Sequence, residues 1–175
     1  MYIKKNLIIS ILLFLTFFTK NLYADPVYYL DLKYVLNQSV AGKKAQDFLK
    51  QKLDKGIKDL QSKEKNLQND EKKLIQQKKL VSPEEYKTKI SELRKKVSSL
   101  QKQRNNLLED VSKQRSKARN ELLSSLNPIL KNYMKEKNIR IVVDKKSLLL
   151  ADENLDLTKE ITKILNKKLS SIKLN

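Results

Sequence analysis

The 175 residues leave room for one domain, or one domain with an appendage, and carry 38 basic against 20 acidic side chains, a formal net charge of +18. Only 2 Gly and 3 Pro are present, where an average chain of this length holds about 12 and 9, so the tight turns of an all-β sandwich or barrel cannot be supplied. There is no His and no Cys, which removes Ser-His-Asp and Cys-His catalysis, disulfides and the usual zinc sites; two glycines cannot build a phosphate-binding loop. Carboxylates alone remain for acid–base work, and the chain reads as a non-enzyme without catalytic residue, metal or cofactor.

In chain order, Lys4 and Lys5 precede an apolar run from Leu7 to Phe18, broken only by Ser10 and Thr16, and Leu22-Tyr23-Ala24 follows a polar stretch. This is the layout of a secretory signal peptide over residues 1–24, with cleavage after Ala24. The run is short for a membrane span, which needs about 20 apolar residues. The mature chain is expected to be exported and to lie outside the inner membrane, soluble after cleavage.

From Lys43 to Val81 the residues Leu53, Leu60, Leu67, Leu74 and Val81 recur every seven positions. Ser82-Pro83-Glu84-Glu85 then offers an N-cap, a Pro at the first helical position and a Glu three residues after the cap. Beyond it run two interleaved rows, Tyr86, Leu93, Leu100, Leu107, Gln114 and Ile90, Val97, Arg104, Val111, Ala118, a coiled-coil seam interrupted by Arg104 and Gln114. Those two interruptions fit register control in an antiparallel pair, or a local loosening that lets the arm bend. So short a link makes the helices antiparallel neighbours. The spacing predicts a helical hairpin arm over 43–126 with its tip near 80–83.

Val27 to Leu32 is β-prone and short, and runs into a helical turn through Tyr34, Val35 and Leu36. Asn127-Pro128 predicts a kink or break before a helical stretch from Ile129 to Lys137. Ile139 to Val143 reads as a second strand, Ser147 to Ala151 as a third, and Leu157 to Leu169 as a closing helix. The fold class is therefore mainly α with a small β body, a long antiparallel hairpin being inserted between terminal strands. The body, residues 25–42 and 127–175, buries little by itself and leaves sheet edges open, so it is expected to oligomerise through Tyr29, Leu30, Leu32, Ile139, Ile141, Val142, Val143 and Leu148.

The segment from Asp31 to Ala45 (DLKYVLNQSVAGKKA), the run Asn138 to Asp144 ending in Val-Val-Asp, and Leu155-Asp156-Leu157-Thr158 together resemble the Skp/OmpH family of periplasmic chaperones. The resemblance implies a homotrimer whose three arms surround a cavity. It also implies an ATP-independent holdase that keeps unfolded outer-membrane proteins from aggregating until insertion, with no catalytic residue.

The arm's charge fits such a role. Residues 43–81 hold twelve basic and six acidic side chains, and Lys72, Lys73, Lys78, Lys79, Lys87 and Lys89 cluster near the tip as candidate electrostatic contacts for clients. An anionic outer-membrane lipid is a second partner for the same charge. Ile57, Ile75, Leu80 and Leu108 are candidates for apolar contact, whereas Leu122 and Leu123 are expected to pack the base of the hairpin. Two other classes compete. A periplasmic coiled-coil adaptor would bind one folded partner. A nucleic-acid binder is disfavoured, because only five of the basic residues are Arg and Tyr86 is the sole aromatic between Phe48 and Tyr133.

Overall fold

Two short strands that lie far apart in sequence pair in parallel, and everything between them is the connection. A computed structural model describes residues 25–174; the expected signal peptide lies outside the described residues. Strand β1 (Tyr28–Leu30) aligns with β2 (Val142–Asp144) in the register Tyr28 with Val142, Tyr29 with Val143 and Leu30 with Asp144. Parallel pairing demands a long crossover, and here the crossover is the arm. On its other side β1 accepts a further bond, Leu157 N–H to Tyr29 C=O at 2.9 Å, beside a single bridge to Asp156. Strand β1 is thus flanked twice, and β2 has one neighbour among the described residues.

Helix α1 (Leu32–Gln38) begins where the Asp31 carboxylate accepts from Tyr34 N–H at 2.7 Å. It ends at Ser39, whose extended backbone turns the chain and whose hydroxyl caps α2 (Val40–Gln77) by accepting from Gly42 N–H. A Cβ at Gly42 would lie 2.0 Å from the Leu36 carbonyl oxygen and 2.9 Å from Ser39 Oγ. The α1–α2 corner is therefore tight enough to exclude any side chain there. The second helix starts three residues earlier than its leucine pattern suggests, because Ser39 caps it.

After a turn over 78–82, Ser82 caps α3 (Pro83–Glu136) by accepting from Glu85 N–H, with Pro83 first in the helix and Glu84 and Glu85 in the first turn. At about 1.5 Å per residue, α2 spans roughly 57 Å and α3 roughly 81 Å. The predicted break at Asn127-Pro128 does not occur: α3 continues through Pro128 to Glu136. Proline removes one backbone bond and disfavours a helical residue before it. Against this, Leu122, Leu126, Ile129 and Tyr133 recur at helical spacing and are all buried, so packing holds the helix together across the defect. Its true end is Asn138, at φ 55°, where Ile139 N–H reaches Met134 C=O at 2.8 Å and Asn138 N–H reaches Lys135 C=O, a Schellman closure.

The predicted third strand is also absent. Lys145–Ser147 forms a single 3₁₀ turn, and Leu148 to Ala151 follows without pairing. A leucine-rich run makes a strand only where a neighbouring strand and a covered face exist for it, and the described residues offer neither there. Helix α4 (Thr158–Lys168) closes the body. The core joins Leu30, Val35, Leu36, Ala41, Leu122, Leu126, Ile129, Tyr133, Ile139, Leu157, Ile161 and Leu165. It therefore draws on β1, α1, the first turn of α2, the inner end of α3 and α4. Leu122 packs there as expected, with Leu123 half-buried against it. Among the described residues no helix is long and apolar enough to cross a membrane.

Candidate functional site

The arm is a two-helix ribbon whose seam is thin. Leu60 and Leu74 of α2 are buried, while Leu53, Leu67, Leu93, Leu100 and Leu107 are half-buried and Val97 is exposed. A seam two residues wide per heptad leaves most of each helix surface in water. Polar contacts fix the antiparallel register: Lys52 to Asp110 at 2.7 Å, Lys96 to Asp70 at 3.0 Å, Arg104 to Glu64 at 3.4 Å, and Lys63 to the Gln103 side-chain oxygen at 2.5 Å. Arg104 therefore interrupts the leucine row but reaches across to a partner. Each pair is solvent-exposed enough to contribute little energy individually, and together they define which residues face each other. The Lys52 ammonium, followed by the Gln114 amide, holds the Asp110 carboxyl below its ordinary range.

A Cβ on Gly56 would approach Leu107 Cδ2 to 2.5 Å, so the leucine side chain occupies the space that any residue but Gly would take. Gly56 lets the helices close up at this layer.

At the tip, Lys72, Lys73, Lys78, Lys79 and Lys87 are exposed and make no ion pair among the described residues. Lys89 differs: it pairs with Glu85 at 2.9 Å and donates to Gln77 Oε1 at 3.3 Å, and it is half-buried. That pairing was not visible in the charge count, although the four-residue spacing of Glu85 and Lys89 is the signal for it. Beside the free lysines lie Ile75, 61% exposed, and Leu80, 82% exposed. Ile57 and Leu108 are also exposed along the ribbon. The tip thus presents several unpaired cations around uncovered aliphatic groups.

The residues expected at an oligomer interface separate into two sets. Tyr29, Leu30 and Ile139 are buried within the chain itself, and Leu32, Val142, Val143 and Leu148 are half-buried, with Leu32 and Val142 packed on the core. Ile141 is exposed. Sequence reasoning left out Leu149 and Leu150, which are fully exposed in the segment after the 3₁₀ turn that follows β2; three consecutive leucines were the available signal. They border a shallow recess of about 460 Å³ whose other walls include Tyr29, Lys145, Glu153, Asp156 and Lys159. Lys145 lies 5.8 Å from the Tyr29 ring centre and 3.8 Å from Asp156. Burial, and secondarily the Asp156 charge, push the Tyr29 phenol up. No group of three or more metal-ligating side chains occurs among the described residues.

At the inner end of α3, Tyr133 donates its hydroxyl to Glu160 of α4 at 2.6 Å, and burial followed by that bond pushes its phenol up to about 12. The bond ties the root of the arm to the closing helix.

Residues 26–165 match the family model of outer membrane proteins described as OmpH-like. The chain is also similar to a solved OmpH-like protein from Caulobacter crescentus CB15, assigned as an outer membrane chaperone. The TM-score is 0.81 at 17% identity, covering 87% of this chain and 90% of the other. At that identity the likeness is one of fold. No curated protein matches the chain.

Proposed function

The chain belongs to the OmpH-like family of outer membrane proteins, and on that premise we propose that it is a chaperone of the periplasm that holds unfolded outer-membrane proteins. The observation that carries the proposal is the tip, where unpaired Lys72, Lys73, Lys78 and Lys79 surround exposed Ile75 and Leu80. Such a surface gives many weak contacts of two kinds. Cations draw in acidic stretches of an extended chain, and uncovered aliphatic groups meet its apolar ones. Multivalent weak contacts supply affinity without folding the client and release it without an energy source. Lys87 adds to the cationic set, and Lys89 is engaged with Glu85 and Gln77. The same lysines provide a surface for an anionic outer-membrane lipid.

The reading continues with a homotrimer. Residues 25–42 and 127–175 serve as the oligomerisation body, and 43–126 as the arm. The unpaired side of β2 and the exposed Ile141, Leu149 and Leu150 are what a second copy would cover. Arms that share a positive charge repel one another and stay apart around a space between them. The signal peptide is removed after Ala24 as the chain is exported.

The test is aggregation. An unfolded outer-membrane β-barrel protein diluted from denaturant scatters light as it aggregates. Equimolar trimer should suppress the scattering without nucleotide, for several unrelated clients. Protection of none of them, together with tight binding to one folded partner, would favour the adaptor reading.

A further inference from the structure

The two interruptions of the leucine row are chemically unequal. Arg104 is exposed and reaches Glu64. Gln114 is 8% exposed, and its Oε1 is buried with no hydrogen-bond partner among the described residues. Its Nε2 is engaged by both oxygens of Asp110, at 2.9 and 3.0 Å. Turning the amide over would set oxygen against carboxylate and leave the NH₂ group orphaned instead, so one half of this amide goes unpaired in either orientation. Asp110 is itself fixed from the opposite helix by Lys52 at 2.7 Å.

This layer also marks a change in packing on α3, while on α2 Leu60 and Leu74 remain buried farther out. Every buried residue of α3 lies at Val111 or inward of it: Val111, Gln114, Ala118, Leu122, Leu126, Ile129 and Tyr133. Outward from there α3 has none. Gly56 sits on the facing helix just outside, under Leu107, and is the residue least suited to a helix interior after proline. A helix pair bends where its ladder and seam are weakest, and here three weaknesses coincide within about two turns.

We infer that the Lys52–Asp110–Gln114 layer is the bending point of the arm. In the straight arm the buried amide oxygen goes without a partner. Parting the helices at this layer admits water to it, so bending repays the polar group that the straight form leaves unsatisfied. Asp110 and Lys52 keep the two helices in register while the seam opens beside them. The inner segment stays anchored by the core, and the outer ribbon swings as a unit. This rests on packing alone and holds whatever the arm carries.

The chain contains no Cys, so two can be introduced cleanly. Lys95→Cys and Lys131→Cys, both exposed, flank the layer at about 54 Å along the helix. Spin labels there report the arm's angle by pulsed dipolar spectroscopy, with labelled chains diluted in excess unlabelled protein. The natural sequence should give a broad distribution extending to short distances. Gln114→Met, which keeps the length of the side chain and removes the orphan, should narrow its width at least twofold. Arg104→Met, which removes a satisfied interruption, should leave the width unchanged or broaden it. An unchanged width in Gln114→Met, or an equal narrowing in Arg104→Met, would overturn the inference. Circular dichroism of each variant confirms that the helices are intact.

Discussion

Replacing Tyr133 by Phe removes one oxygen and tests how the arm is rooted. The hydroxyl donates at 2.6 Å to Glu160 from a ring that is 7% exposed. Phe fills the same space, so no cavity term enters. Hydrogen bonds to charged groups contribute about 1.5–3 kcal/mol, and Glu160 keeps access to water, which places the expected loss toward the lower figure. For a chain of this size that lowers Tm by roughly 3–6 °C. The pH dependence carries the sign. The phenol rises from an ordinary 10.0 to about 12 in the folded chain. Its protonated form is therefore favoured by folding, and the contribution is complete below pH 10 and fades as pH rises toward 12. Melting curves of the two proteins should be separated at pH 7 and converge above pH 11. The variant serves as its own control for the lysines that titrate in the same window. Equal Tm values at pH 7, or a gap that widens with alkali, would refute the bond between α3 and α4 as a root of the arm.

Other expectations concern the corner, the assembly and export. Gly42→Ala forces a Cβ to within 2.0 Å of the Leu36 carbonyl, so it should destabilise the body by about 3 kcal/mol or more, read by chemical denaturation. Leu149→Asp with Leu150→Asp should shift the solution mass, by light scattering, from that of the proposed trimer toward monomer while helical circular dichroism persists; an unchanged mass would remove these leucines from the interface. They are better probes than Val142, which packs on the chain's own core and would confuse assembly with folding. Exported protein should have an intact mass beginning at Asp25, and recovery of the uncleaved form in membranes would speak for an anchor.

What the sequence made legible is what local chemistry determines. Ser82-Pro83 marked the turn because a cap and a proline act within one helical turn, and the heptads marked the seam because helix geometry puts every seventh residue on one face. The strands at both ends were found through their β-branched and aromatic content. The break expected at Pro128 does not occur, because proline's penalty is local, whereas the burial of Leu126 and Ile129 around it is tertiary. Ser147 to Ala151 misled for the opposite reason: its strand propensity has no partner strand or covered face among the described residues. At the candidate site, composition located the cationic tip but could not separate Lys89, tied to Glu85, from its unpaired neighbours. Gln114 and Arg104 looked alike as breaks in a row, and only the burial of one and the partner of the other distinguished them.

The central claim is that the cationic tip captures unfolded chains. Reversal of Lys72, Lys73, Lys78 and Lys79 to Glu exchanges four unpaired, exposed cations for anions and leaves the leucine row untouched. Stopped-flow capture of a fluorescent unfolded outer-membrane protein, at about 20 and 200 mM salt, measures the consequence directly. At the lower salt the Debye length is roughly 20 Å, so the tip's field extends well into solution; at the higher it is under about 10 Å. The natural protein should capture about tenfold faster at low salt, the reversed variant should lose most of that advantage, and both should retain the slower apolar association. An identical on-rate and salt slope in the two proteins would contradict the claim and leave these lysines as solvated charges only.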